Sequence, residues 1–137
     1  MTGFTPIEGH CQCGAVAYRI ESPPHDFYHC HCSMCRRCHG TLFATYAVVP
    51  RDKLVVLKGD DNLSTYSSSK GVHRRFCKTC GCQMFIDIDD TPDIRYYCPG
   101  TADGHPGHEQ SAEKHIFVGS KVSWYRLQDD LPKHHEY

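Results

Sequence analysis

The chain has 137 residues, and its 15 Lys and Arg against 16 Asp and Glu give a formal net charge of −1 at pH 7. This length predicts a single domain over residues 1–137 with a core from about 9 to 132, and the near-neutral charge argues against nucleic acid or anionic membranes as partners. No apolar run approaches the roughly 20 residues that span a bilayer, and the first residues lack the basic start and apolar stretch of a signal peptide, so we expect a cytoplasmic protein.

Short strand-like segments follow one another along the chain, rich in β-branched and aromatic residues and separated by Gly, Pro, Asp and Ser. In chain order the predicted strands are Ala15–Ile20, Leu42–Val49, Leu54–Leu57, Leu63–Ser67, Val72–Phe76, Met84–Ile88, Ile94–Tyr97, Ile116–Val118 and Val122–Tyr125. No window keeps an apolar repeat of period 3.6 over ten residues. The one predicted helix therefore runs for a turn or two from Ser33, a candidate N-cap, to Gly40.

The chain contains 10 Cys and 11 His, which is the unusual feature of its composition. In a reducing compartment, thiols bind metal or react more often than they form disulfides. Isolated cysteines are also common as small core residues and scattered histidines as surface residues. The spacing of these residues therefore has to distinguish metal ligands from ordinary core and surface positions.

Two cysteine pairs lie far apart in the sequence, Cys11 with Cys13 and Cys77 with Cys80, and a glycine directly follows each pair. A Cys-x-x-Cys-Gly turn is typical of a zinc knuckle, because it aims both sulfurs at one point and glycine takes the positive φ that follows. Four thiolates form a closed structural site, whose binding free energy, on the order of 10 kcal/mol, becomes folding free energy. The Cys-x-x-Cys lies between strands rather than at the start of a helix, so we favour zinc over a thioredoxin-type dithiol.

A second set of cysteines lies in the segment 29–40, which reads HCHCSMCRRCHG. Cys30, Cys32 and Cys35 can converge on one metal if the chain turns between a strand end and the short helix. Three ligands leave the fourth tetrahedral position of zinc open, which is typical of a catalytic ion. Cys38 could close this site as a fourth thiolate; alternatively it is a small buried residue or a redox-sensitive neighbour.

The order of these motifs resembles that of a known family. The motifs are Cys-x-Cys-Gly-Ala-Val, CHCSMCRRCHG, RFCKTCGCQMF, HIFVGSKVSW and a closing Asp-x-Leu-Pro, and they run in this order from about Gly9 to Pro132. In this respect the chain resembles the glutathione-dependent formaldehyde-activating family, which also includes centromere protein V. The resemblance implies a mainly β, β-tent fold of short antiparallel strands with one short helix and two zinc ions, one structural and one catalytic. The implied ligands are Cys11, Cys13, Cys77 and Cys80 for the structural ion and Cys30, Cys32 and Cys35 for the catalytic one.

The family's reaction joins glutathione and formaldehyde into S-hydroxymethylglutathione. The resemblance therefore implies a zinc-dependent enzyme of the carbon–sulfur lyase or synthase type, with a small thiol such as glutathione and an aldehyde as partners. A free thiol with a pKa of about 8.5 is mostly protonated at pH 7, and zinc would hold it as the thiolate that attacks a carbonyl carbon. Arg36 and Arg37 could offset the negative charge of three thiolates or hold a substrate carboxylate, and the alternative is a solvated helix face. The expected catalytic residues are Cys30, Cys32, Cys35, Arg36 and Arg37.

Two other functions stay open at this point. One is a binding module in which both zinc ions are structural and nothing is catalysed, which closure of the second site by Cys38 would favour. The other is a thiol buffer or metal-trafficking protein, which the number of thiols alone suggests. Strand-forming sequence around both sites favours a preorganised centre over labile metal.

Several other residues are expected in structural positions. Cys82 should enter the strand after the second pair, and Cys98 should lie in the core. His31 lies between two candidate ligands, so its side chain should point away from theirs, either beside the ligands or at the surface; His115 and Trp124 are expected in the core. The histidines that flank the second set, and could instead be ligands or general acid–base groups, are His29, His31 and His39. The histidines expected at the surface are His73, His105, His108, His134 and His135.

Overall fold

Short strands and one short helix make up the described part of the chain, residues 4–104 and 111–137 of a computed structural model. The strands are β1 (Ile7–His10), β2 (Ala17–Ile20), β3 (His25–Cys30), β4 (Ala44–Pro50), β5 (Leu54–Lys58), β6 (Leu63–Ser69), β7 (Val72–Cys77), β8 (Gln83–Ile88), β9 (Ile94–Tyr97) and β10 (Lys114–Ile116), and the helix is α1 (Ser33–His39). Within the described residues, single turns of 3-10 helix lie at Arg51–Lys53, Asp60–Asn62, Pro99–Thr101 and Val118–Ser120.

The strands form two sheets. The smaller sheet is antiparallel in the order β1-β2-β5, and the larger has the order β10-β3-β4-β9-β8-β7-β6. Every pair is antiparallel except β10 with β3. The predicted mainly β fold with one short helix is therefore confirmed. Within the described residues, no helix is long and apolar enough to cross a membrane.

Two apolar clusters use opposite faces of the larger sheet, because successive side chains on a strand point to opposite sides. On one face, Phe85 of β8 and Ala47 of β4 pack in a core with Tyr18 of the smaller sheet. The ring centroids of Tyr18 and Phe85 are 5.5 Å apart in an edge-on contact. On the other face, the adjacent residues Ile86 and Tyr46 pack with the cysteines around α1. The larger sheet thus carries the protein core on one side and a cysteine site on the other.

The helix begins one residue earlier than the sequence predicts. Cys32, and not Ser33, is the N-cap, and its Sγ accepts a hydrogen bond from the Cys35 N–H at 3.2 Å. A sulfur atom thus takes the place that a Ser, Thr, Asp or Asn oxygen usually has at an N-cap. The helix ends as predicted at Gly40, whose φ of +63° and N–H bond to the Arg36 carbonyl are typical of a glycine C-cap.

Some predicted elements are wrong. Residues 122–125 form no strand; Lys121 Nζ instead donates to the carbonyls of Val122 and Tyr125, which satisfies them locally. The strand predicted at Ile116–Val118 lies earlier, because β10 ends at Ile116 and a 3-10 turn follows Phe117. Strands β1 and β3 were not predicted, since the sequences IEGH and HDFYHC carry many polar residues.

Candidate metal centres

The first cysteine cluster joins the loop after β1 to the turn between β7 and β8. Its four sulfur atoms, from Cys11, Cys13, Cys77 and Cys80, all lie within 4.8 Å of one another. The Cys13 Sγ lies 3.7 Å from the Cys11 Sγ and 3.7 Å from the Cys77 Sγ. A tetrahedron with metal–sulfur bonds of about 2.3 Å has edges of ~3.8 Å. The separations therefore fit four thiolates around one zinc ion.

Each half of this cluster is a tight turn that a glycine completes. Gly14 has a φ of +81° and Gly81 a φ of +79°, in the left-handed region that L side chains rarely adopt. The Gly14 N–H donates to the Cys11 carbonyl at 3.1 Å, and the Gly81 N–H donates to the Cys77 carbonyl at 2.7 Å. These turns bring the two sulfurs of each pair to the same side of the chain.

Nitrogen donors surround the sulfurs of the first cluster. The Val16 N–H donates to the Cys11 Sγ, and the Asn62 side-chain amide donates to the Cys77 Sγ, both at 3.3 Å. Backbone N–H groups lower the pKa of the Cys80 thiol to about 6. Such donors stabilise a thiolate relative to a thiol. Asn62 was not predicted, because it lies in a different turn and belongs to no cysteine motif.

The second cluster lies at the junction between β3 and α1. Cys30 ends β3, Cys32 caps the helix and Cys35 occupies its first turn, and their three sulfurs lie within 4.8 Å of one another. Cys30 and Cys35 are buried, whereas Cys32 is partly exposed. Cys38 is not a member of this group, so the described residues offer three thiol ligands. A three-sulfur set fits a tetrahedral zinc ion with one position left for another ligand.

Cys35 receives hydrogen bonds from two buried side chains of the larger sheet. The Arg74 Nη2 lies 3.6 Å from the Cys35 Sγ, and the Tyr46 hydroxyl donates to the same sulfur at 3.5 Å. Hydrogen bonds within the cluster, from Cys30 and Cys32, lower the pKa of the Cys35 thiol, and the bonds from Tyr46 and Arg74 lower it further. Neither side chain was predicted as a site residue. The pattern of β7, VHRRFC, does place one of its two adjacent arginines on the inner face.

A chain of hydrogen bonds runs behind the second cluster. His31 and His115 are both 1% exposed, with 2.8 Å between the His31 Nε2 and the His115 Nδ1. The His115 Nε2 in turn lies 2.9 Å from the Asp129 carboxylate. Burial, followed by the charges of His115 and His29, lowers the pKa of His31 to about 4. His31 is therefore a neutral buried histidine, and His115 lies in the interior as predicted.

Arg36 and Arg37 line a cleft of about 720 Å³ beside α1, together with Phe43 and Trp124. Arg36 is partly buried and its Nε has no hydrogen-bond partner in the described structure, while Arg37 is exposed. Neither arginine hydrogen-bonds to a cluster sulfur within the described residues. Trp124 is 75% exposed, so its predicted core position is wrong. The strand predicted at Val122–Tyr125 is also wrong, so no sheet places the indole side chain in the core.

The other predicted residues that the structure describes contribute no ligand to either cluster. Cys82 is half-buried directly before β8. Cys98 is half-buried against the apolar cluster around Cys35. Of the histidines expected at the surface, His134 and His135 are exposed, His73 is half-buried, and His105 and His108 lie outside the described residues.

Comparison with known proteins shows that the chain is similar to one enzyme family. A family model described as "Glutathione-dependent formaldehyde-activating enzyme" matches residues 6–120. A Halomonas elongata protein provisionally named after this enzyme is 28% identical over 130 residues, which cover 89% of this chain and 81% of the relative. A Penicillium rubens protein with the same name is 33% identical over 102 residues, and the match spans 68% of this chain but about half of the relative, 53%.

The fold also resembles a solved structure. The crystal structure of a Rhodobacter sphaeroides protein matches with a TM-score of 0.61 and 27% identity, over 77% of this chain and 96% of the other. The similarity thus extends from sequence to three-dimensional structure.

Proposed function

Because the chain belongs to the glutathione-dependent formaldehyde-activating enzyme family, we propose that it forms and cleaves the carbon–sulfur bond between a small thiol such as glutathione and an aldehyde such as formaldehyde. The observation that carries this proposal is the difference between its two clusters, four sulfurs in the first and three in the second. Four ligands close a zinc site, whereas three leave a position for a substrate. We therefore assign a structural ion to the first cluster and a catalytic ion to the second.

The donor set of the second cluster fits this chemistry. Cys30, Cys32 and Cys35 would hold the ion, and zinc bound there supplies a positive charge that favours the thiolate form of a thiol. In the reaction the thiol loses its proton, its sulfur bonds to the carbonyl carbon and the carbonyl oxygen gains a proton. No oxidant or reductant is needed. We propose a reducing compartment such as the cytoplasm as the location, because the ligands must stay thiols.

The cleft beside α1 supports a carboxylate-bearing thiol as the substrate. Arg36 and Arg37 directly follow Cys35, so the positive wall of the cleft begins next to the second cluster. A guanidinium group binds a carboxylate through two parallel hydrogen bonds, and glutathione has two carboxylates. Trp124 gives the cleft an apolar wall that can pack against the rest of the peptide. We assign substrate binding to both arginines on this basis.

The alternative of two structural ions needs a fourth ligand at the second cluster. Cys38 was the candidate for that role, and its sulfur lies outside the group of three. This geometry favours the enzyme over the binding module.

Metal analysis combined with kinetics tests the proposal. Wild-type protein should hold two zinc ions per chain and accelerate exchange between glutathione, formaldehyde and their adduct, measured by NMR exchange spectroscopy. The Cys32→Ser variant should hold one ion and leave only the uncatalysed rate. Cys82→Ser is the matched control, because Cys82 is half-buried but belongs to neither cluster, and it should keep two ions and full activity.

Cysteamine, which has a thiol but no carboxylate, provides a further comparison, and it should react with lower catalytic efficiency than glutathione. One zinc ion per wild-type chain, or equal rates for Cys32→Ser and wild type, would contradict the proposal.

A further inference from the structure

We propose that Arg74 is a positioning residue of the second cluster, whose guanidinium donates a hydrogen bond to the Cys35 sulfur and offsets the negative charge of the metal centre. Arg74 lies in β7, 39 residues from Cys35 in sequence, and it belongs to no cysteine motif. The inference rests on the proposed zinc ion at the second cluster.

The first step is the burial of Arg74 without a carboxylate. Arg74 is 4% exposed, and its Nε donates to the Ser68 hydroxyl at 2.8 Å. Its Nη1 donates to the Tyr46 hydroxyl at 3.0 Å, and its Nη2 to the Cys35 Sγ at 3.6 Å. Among the described residues, no carboxylate forms an ion pair with it. A buried cation needs a nearby anion, and among these partners only Cys35, as a thiolate ligand of the proposed ion, supplies one.

Arg75, the next residue of β7, differs from Arg74 in its counter-charge. Arg75 points to the other side of β7, where it pairs with the buried carboxylate of Asp87. Adjacent arginines of one strand thus have two different counter-charges, a carboxylate for Arg75 and a sulfur for Arg74.

The second step is the direction of the hydrogen bonds at the Tyr46 hydroxyl, which has a single proton to donate. The Tyr46 oxygen accepts from Arg74, and it also lies 3.2 Å from the His39 Nε2. When the His39 Nε2 carries its proton and donates to this oxygen, the hydroxyl proton is left for the Cys35 Sγ at 3.5 Å. Cys35 then accepts from both Tyr46 and Arg74. Two donors of this kind suit a thiolate, which has no proton of its own.

The third step is the formal charge of the centre. Three thiolates and one Zn²⁺ sum to −1, and a substrate thiolate would bring the sum to −2. Arg74 raises each value by one, so that the resting centre is neutral. Arg36 and Arg37, which the sequence offered for this task, make no hydrogen bond to a cluster sulfur within the described residues. The buried arginine of β7 therefore takes over the role expected of the helix arginines.

Zinc competition against a chelator tests the inference, with the ion of the first cluster as an internal reference. In Arg74→Gln the second ion should bind about 10–100-fold more weakly, as is typical when a group that supports a metal ligand is lost, while the first ion keeps its affinity. Arg74→Lys should recover part of the loss, because it restores the charge but not the fork of donors. Tyr46→Phe should weaken the second ion in the same direction but less.

A spectroscopic measurement separates this role from a purely structural one. In the cobalt-substituted protein, Arg74→Gln should move the sulfur-to-metal charge-transfer band of the second cluster to lower energy, because the sulfur loses a hydrogen-bond donor. Arg75→Gln is the matched control from the same strand, and it should leave the affinity of the second ion and the band unchanged.

Unchanged affinity and an unshifted band in Arg74→Gln would overturn the inference. If Arg74→Gln also loses the first ion, the chain has not folded, and an unchanged second ion in Tyr46→Phe overturns it instead. The outcomes are distinct from those of the proposed function. Two ions and a clear Arg74 effect without catalysed thiol–aldehyde exchange would contradict the function alone.

Discussion

At the scale of single residues, Asp87 shows how the larger sheet keeps a buried charge. It is 5% exposed and lies among Arg51, Arg75 and Arg95, all of which donate to its carboxylate. Burial by itself would raise the pKa of Asp87, but the hydrogen bonds from Arg95, Arg51 and Arg75 bring it well below its usual range. The carboxylate therefore stays charged in the folded protein at pH values where the unfolded chain would bind a proton.

We predict that Asp87→Asn lowers the free energy of unfolding at pH 7 by on the order of 3 kcal/mol, because three arginines lose their shared counter-charge. Since the pKa of Asp87 is lower in the folded chain, its contribution is complete at neutral pH and declines as the pH falls below about 3.9, the usual pKa of aspartate. The difference between wild type and variant, measured by urea unfolding at pH 6 and pH 8 in saturating zinc, should therefore be the same at both pH values.

Asp89→Asn serves as the control for this prediction, because Asp89 is 69% exposed and pairs with His73 at the surface. It should change stability little at either pH. A loss for Asp87→Asn that differs between pH 6 and pH 8, or that is no larger than the loss for Asp89→Asn, would contradict the explanation by charge.

Residues with a motif could be predicted from the sequence, and residues without one could not. The spacing around Cys11 and Cys77 pointed to the first cluster, and the dense segment at Cys30 pointed to the second. Arg74 was missed, because its role depends on a contact between β7 and α1 that no local pattern encodes. The core position of Trp124 was wrong because it depended on the strand predicted at Val122–Tyr125, which does not form.

Among the elements, the short connections between strands also shape the metal centres. The turn after β5 packs directly against the loop of the first cluster. Gly59 has a φ of +79°, and a Cβ at this position would lie only 1.9 Å from the Ala15 carbonyl oxygen. Ala15 lies two residues after Cys13, so a side chain at Gly59 would push on the cysteine loop itself.

We predict that Gly59→Ala destabilises the protein more than Gly71→Ala does. Gly71 has a similar φ of +75°, but a Cβ there would approach nothing closer than the Asp89 carboxylate at 3.4 Å. Gly71→Ala should therefore cost only the left-handed conformation, about 1–2 kcal/mol. Gly59→Ala should cost about 1–3 kcal/mol more, because the backbone has to shift. Denaturant unfolding measures both, and equal losses would mean that the close approach does not matter.

The helix and several strands could be predicted because their signals are local. Gly40 marked the end of α1, and the β-branched segments marked most strands. Strand β3, however, has the sequence HDFYHC, and three of its residues are charged or imidazole side chains. It forms because it pairs with β4 on one side and β10 on the other, and no window of its own sequence contains that information.

At the scale of the whole molecule, the first cluster connects the two sheets. Cys11 and Cys13 follow β1 of the smaller sheet, while Cys77 ends β7 of the larger one, 64 residues beyond Cys13. The sequence predicted this long-range link from its cysteines, but not the strand order around it. In the order β10-β3-β4-β9-β8-β7-β6, two pairs, β10 with β3 and β4 with β9, join strands that are distant in the chain, and such pairing depends on packing between segments rather than on any one segment.

We predict that this link supplies a large part of the folding free energy. Structural zinc contributes on the order of 10 kcal/mol, which is comparable to the whole stability of a typical domain, about 5–15 kcal/mol. Cys77→Ser should therefore leave the chain largely unfolded at 25 °C, measured by circular dichroism and thermal unfolding. Once the native sites are saturated, wild-type stability should rise by about 1.4 kcal/mol per bound ion for each tenfold increase in free zinc, as long as the unfolded chain binds no zinc.

Cys82→Ser tests whether the effect belongs to the cluster rather than to any thiol in this turn. Cys82 lies two residues after Cys80, is half-buried and contributes no sulfur to the cluster. Its substitution should change the free energy of unfolding by less than about 1 kcal/mol, since the small side chain is only partly buried. If Cys77→Ser and Cys82→Ser unfold at the same temperature, the two sheets hold together without the metal, and the large core around Tyr18 and Phe85 must then be sufficient by itself.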